Sequence, residues 1–237
     1  MHKYLIAAAT LLAATALTPA AAETFAIQAG HLIVDAAKPA RGASTVIVTD
    51  GRITAIENGA TAPAGATVVD LRNRTVLPGL IDVHVHLTSN AGEPWYQGLT
   101  PKYSEPYAAT IGLKNALITA RAGFTTVRDL GGAPAASVAM RDAVAEGSFP
   151  GPRILVAGPA LSIIGGHGDE TVGLNPDLRA AIDASGAQFW VCTGPLECAK
   201  AVRRIAAYGS TLSSSMPPAA CSTMARSGSN SISPTRK

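Results

Sequence analysis

Pro78-Gly79-Leu80-Ile81-Asp82-Val83-His84-Val85-His86-Leu87 is the stretch on which the fold turns. Its apolar run is set off by Pro78-Gly79 and reads as a β-strand. Side chains two apart on a strand share a face, so His84 and His86 project together, with Asp82 beside them on that face. Neutral imidazole is a good ligand for zinc and similar ions. A His-x-His pair taken alone favours two incidental histidines. The strand that carries this pair, and the chain on either side of it, weigh the other way. Asp82 stands where it can support the pair.

Downstream, the pattern alternates. A helical periodicity runs from about Tyr107 to Ala122, and Phe124 to Arg128 reads as a second strand. Ala135 to Glu146 is a second helix and Arg153 to Ala157 a third strand. A long Gly-rich loop follows, then a helix from Glu197 to Tyr208 with Ala199, Val202, Ile205 and Ala206 on one face. Strands alternating with helices make parallel β/α units. In a barrel of such units the active site lies at the carboxyl ends of the strands, which is where His84 and His86 fall. Upstream, residues 23–77 read as short strands. Val46 to Thr49 and Arg52 to Ile56 flank Asp50-Gly51, a tight hairpin turn. Ala66 to Asp70 and Thr75 to Leu77 are further strands, so this part is a small all-β unit.

The 237 residues are 47% hydrophobic and 15% charged, a globular composition. The formal charge is +3. The surplus sits in residues 213–237, which hold Arg226, Arg236 and Lys237 and no acid. No basic face remains to argue for nucleic acid. Residues 1–22 read as a signal peptide, with Lys3, an apolar stretch from Leu5 to Leu17, Pro19, and a cleavage site near Ala22. The stretch falls short of the about 20 residues a membrane span needs. The expectation is a periplasmic or secreted chain with no stable membrane anchor. An oxidising compartment permits a Cys192–Cys198 bridge. Three cysteines are an odd number with no metal-type spacing, so isolated thiols are the favoured reading.

Taken together, these segments resemble the amidohydrolase superfamily. The β-unit ends in Leu77-Pro78-Gly79-Leu80-Ile81-Asp82 and continues to His84-Val85-His86-Leu87. Three further segments are similar to its imidazolonepropionase-like and Xaa-Pro dipeptidase (prolidase-like) branch: Gly123 to Gly132, Gly151 to Gly158, and Gly165-Gly166-His167-Gly168. The resemblance covers about residues 25–212. It implies the N-terminal part of a (β/α)8 TIM-like metal-dependent hydrolase barrel, residues 78–212, preceded by a small β-sandwich-type domain. By resemblance, His84 and His86 carry over as metal ligands for one or two divalent ions, zinc in the first instance. No side chain carries over as a catalytic acid or base. His167 is weighed as a substrate contact against a loop histidine in solvent. Arg128 and Asp129 are either an ion pair supporting the barrel or substrate contacts. The implied reaction is hydrolysis of a C–N bond in an amide, dipeptide or cyclic amide by metal-activated water. The implied partner is a small molecule or dipeptide, with a homo-oligomer in the intact parent. Two competing readings are a non-catalytic fragment and a metal-dependent phosphotriesterase-like hydrolase.

Ser213 to Lys237 breaks the pattern. Its Ser, Pro and Arg content without periodicity reads as a disordered tail, or as a gene translated out of frame. Codons that encode Ser213 to Cys221 can, in another frame, encode Ile-Lys-Tyr-Ala-Thr-Gly-Gly, similar to the fourth barrel strand of the family and its metal-bridging lysine. Gly79 to Leu212 is well short of the about 250 residues of a full barrel. The expectation is an incomplete, poorly stable barrel.

Overall fold

The computed structural model describes residues 23–93 and 103–211. The signal-peptide segment, Cys221 and the 213–237 tail lie outside the described residues. The chain divides at Pro78 into two units.

In the first unit, β1 (Thr24–Leu32), β2 (Ser44–Thr49), β3 (Arg52–Asn58) and β4 (Thr67–Val76) form one mixed sheet in the order β3-β2-β1-β4. The β2–β3 hairpin turns at Asp50 and Gly51, with φ of 50° and 73°. These are the positive angles expected of that dipeptide. β1 runs antiparallel to β2 and parallel to β4. The two strands read between Ala66 and Leu77 are one, β4, whose pairing with β1 slips at Gly30. A Cβ at Gly30 would lie 2.2 Å from the Arg72 carbonyl oxygen, so only glycine lets the two backbones close up there. Ala29, Leu32 and Val46 are the buried core. The expected all-β unit is thus a single four-stranded sheet among the described residues, with no second sheet stacked on it to make a sandwich.

In the second unit, β5 (Leu80–Val85), β6 (Phe124–Asp129) and β7 (Arg153–Val156) form a parallel sheet in chain order. α1 (Glu105–Arg121) connects β5 to β6, and α2 (Pro134–Ala145) connects β6 to β7. Leu87, Ala116, Val127, Met140, Ile154 and Val156 pack between sheet and helices. After β7 come α3 (Pro176–Ser185) and α4 (Gly194–Ala207). The Thr211 amide and hydroxyl both bond the Val156 backbone, so the chain returns beside β7 as a fourth strand would. No helix among the described residues is long and apolar enough to cross a membrane.

Two expectations need correction. The stretch read as one long loop contains α3, capped by the Asn175 side chain accepting from Asp177 N–H at 2.8 Å and closed by Gly186 at φ 63°. Asn-Pro at its start and Gly at its end are ordinary helix punctuation. Yet α3 is only ten residues long and buries no residue, and its single apolar pair at helical spacing, Leu178 and Ile182, is too short a periodic signal beside the Gly-rich stretch. The second correction is the thiols: Cys192 and Cys198 are joined in a disulfide. Cys192 N–H bonds the Ser162 carbonyl and Cys198 lies near the start of α4, which brings their Cα atoms to 5.1 Å.

Candidate metal site at the strand ends

β5 delivers both histidines to its carboxyl end, as its alternation demands. His84 Nε2 and His86 Nε2 are 3.2 Å apart, with ring planes inclined at 52°. Two ligand nitrogens at 2.0–2.1 Å from one tetrahedral ion stand roughly 3.3 Å apart. The pair therefore fits two corners of a zinc-like site. Among the described residues no third His, Cys, Asp or Glu joins them in a group able to hold a metal. Although His86 is exposed overall, desolvation of its ring comes first in pushing its pKa below the usual histidine range. The charges of His84 and His167 push the same way. A neutral ring is the form that binds metal.

The segment carrying the histidines is held from its backbone. The β5–β6 ladder is irregular between Asp82 and Val85, and side chains take over the missing bonds. Asp82 Oδ1 accepts the His84 N–H at 3.0 Å, so Asp82 supports the strand at His84 through its main chain. Arg128 Nε donates to the Val83 carbonyl at 2.7 Å, and Leu130 N–H donates to the Val85 carbonyl at 3.0 Å. Asp129 Oδ1 accepts the Leu87 N–H at 3.1 Å. From α1, Asn115 Nδ2 donates to the Leu87 and Ser89 carbonyls at 2.8 and 2.9 Å. Arg128 and Asp129 are thus not an ion pair: each serves the backbone of the histidine segment.

Asp129 is fully buried. Burial pushes its carboxyl up to about 6, against the Leu87 N–H and the nearby Ser137 hydroxyl, which favour the charged form. The Ser137 contact falls short of hydrogen-bonding geometry: Asp129 Oδ2 and Ser137 Oγ are buried and each is left without a partner.

His167 lies on the loop after β7, exposed, and close enough for its charge to act on His86. The loop beneath it is braced. Gly168 N–H donates to Ser162 Oγ at 3.1 Å, and Trp190 Nε1 donates to the Gly168 carbonyl at 3.0 Å. Asp169, nearly buried, accepts from Gly165 N–H at 2.7 Å and from Thr171, and pairs with Arg179 at 3.3 Å. Burial alone would raise this carboxyl; the Thr171, Gly165 and Arg179 contacts outweigh it and hold the pKa below the usual value. Sequence reasoning missed the roles of Asn115, Arg128 and Asp129, because each acts on a backbone atom distant in sequence. The one available signal, polar residues at a strand end, covers Arg128 and Asp129 but not Asn115, which lies on α1.

Residues 75–217 match the model of the amidohydrolase family. A dihydroorotase of Anaeromyxobacter sp. (strain K) is 40% identical over 58 residues, which is 24% of this chain and 13% of that protein. A solved Xaa-Pro dipeptidase with bound methionine in its active site is 30% identical at a TM-score of 0.65. It matches over 79% of this chain and 45% of its own. A solved prolidase complexed with N-methylphosphonate-L-proline is 31% identical at a TM-score of 0.64, over 81% of this chain and 46% of its own. The chain therefore spans less than half the length of the solved structures it matches. A parallel β/α sheet, a histidine pair at its strand ends and a family match over most of the chain lead to one assignment: the chain belongs to the amidohydrolase family.

Proposed function

We propose that the chain carries the metal-binding opening of a hydrolase acting on a C–N bond in an amide, dipeptide or cyclic amide. The observation that carries this reading is the 3.2 Å approach of the His84 and His86 Nε2 atoms at the carboxyl end of β5. A divalent ion, zinc in the first instance, would supply a polarised carbonyl and acidified water there. His84 and His86 would hold it, their Nε2 atoms already facing each other. His167 orients the substrate from its braced loop. The Xaa-Pro dipeptidase and prolidase similarities favour a dipeptide over a phosphotriester. Export fits a scavenging role, and the Cys192–Cys198 disulfide is at home in an oxidising compartment. The remaining donors of the site are proposed to lie in the reading frame that Ser213 to Lys237 replaces. Sequencing the coding DNA tests that part: one uninterrupted frame with no neighbouring alternative ends it.

A non-catalytic fragment is the second reading, favoured by the lack of a third donor among the described residues. Metal content of the purified chain and turnover of a panel of dipeptides, lactams and phosphotriesters separate the two. His84→Ala and His86→Ala are each expected to weaken Co(II) or Zn(II) binding at least about 10-fold, since each removes a direct ligand. Unchanged metal affinity in both variants would refute the site.

A further inference from the structure

The His86 ring occupies a space that exists because residue 131 is glycine. A Cβ at Gly131 would stand 2.2 Å from His86 Nδ1 and 2.4 Å from Cε1, far inside van der Waals contact. The Nδ1–Cε1 edge of the ring therefore rests on the Gly131 backbone, and Nε2 is left to face His84 Nε2 at 3.2 Å. Gly131 is not among the positive-φ residues, whereas Gly132 is, at φ 111°. The requirement at 131 is thus space rather than backbone conformation. The residues just before it fix the segment that brings the ring there. Arg128, Asp129 and Leu130 bond the backbone at Val83, Leu87 and Val85, on both sides of the two histidines.

We infer that Gly131 is a positioning residue for His86, the floor that sets which way its Nε2 points. The inference rests on the metal reading above for its functional meaning, while the seat itself is a matter of ring position. A methyl group at 131 meets the far end of a rotatable side chain, not backbone. The ring can turn away to another rotamer at modest cost. Gly131→Ala should therefore leave the fold standing and spoil the aim of the ligand. At Gly132 the outcome differs: alanine there is strained by its φ and would also strike Thr88 Oγ1 at 2.2 Å, so stability itself should fall.

The test uses the full chain, first without metal. NMR should show a nuclear Overhauser contact between the His86 ring Hε1 and the Gly131 Hα protons. In Gly131→Ala the His86 ring signals should move while those of His31 stay. Co(II) titration followed by its visible absorbance should then show binding weakened at least about 10-fold. The melting temperature should shift by no more than about 4 °C. Gly42→Ala, where a Cβ meets nothing within 4 Å, is the control and should change none of these. Absence of the Overhauser contact in the parent overturns the inference, as does a Gly131→Ala chain whose His86 signals match the parent. A Co(II) titration that is flat in the parent sinks the metal reading instead, and the ring contact still decides the seat. Should Gly131→Ala fail to fold, the parent's ring contact alone carries the decision.

Discussion

Between about pH 4 and pH 6, burial lets Asp129 keep a proton in the folded chain that it loses in the unfolded one. Its folded pKa of about 6 lies above the ordinary aspartate value of about 4. The folded state binds the extra proton across that window, so this group's contribution to stability is full below about pH 4 and lost as pH rises through about 6. The difference between the two ends is about 3 kcal/mol at most. Asn at this position keeps an acceptor for the Leu87 N–H and offers a donor toward Ser137, where Oδ2 now has none. Asp129→Asn is therefore expected to be more stable than the parent at pH 8 by about 1–3 kcal/mol and to lose that advantage by pH 4. Urea unfolding of both proteins at the two pH values checks this; a pH-independent difference would show the carboxyl to be charged throughout. His86 has the opposite sign. Its folded pKa lies below the unfolded one, so its share of stability is present above the ordinary histidine range and lost as pH falls through the folded pKa.

Elements are joined here by close approach and by one covalent tie. Gly112 on α1 faces Met140 on α2, and a Cβ at 112 would lie 2.6 Å from the fully buried Met140 sulfur. Gly112→Ala should overpack this contact and cost about 1–3 kcal/mol, read as a lowered urea midpoint. The Cys192–Cys198 bridge closes a short loop that ties the start of α4 to the segment pairing with Ser162. Replacing both cysteines by serine should cost about 2 kcal/mol by the loop-closure argument. Because Ser162 Oγ also holds Gly168 N–H, the His167 ring resonances should broaden as well. A double variant with parental stability and unchanged His167 signals would show that the bridge braces nothing.

For the whole molecule, the exposed sheet face decides behaviour in solution. Ile81 and Val83, which share one face of β5, are 65% and 56% exposed. β5 is also an edge of the parallel sheet among the described residues. An apolar edge strand with free hydrogen-bonding groups is a template for association. The chain expressed alone is expected to bind a hydrophobic dye such as ANS and to elute from gel filtration as assemblies larger than a monomer. A monodisperse, dye-silent monomer would mean that this face is covered.

The β/α alternation, the hairpin at Asp50-Gly51 and the shared face of His84 and His86 were legible because each follows from local periodicity or turn chemistry, which acts over a few residues. Helices α1, α2 and α4 were found to within a few residues of their ends, and the ten-residue α3 was missed because its one apolar pair, Leu178 and Ile182, is too short a periodic signal. What only the tertiary structure decided lies across longer separations. It joined Cys192 to Cys198, made Arg128 and Asp129, weighed as an ion pair or as substrate contacts, into props for the backbone around the histidines, and set Gly131 under the His86 ring. Those outcomes depend on which atoms the packed sheet and loops bring within a few ångströms, and no periodicity in the chain encodes that distance.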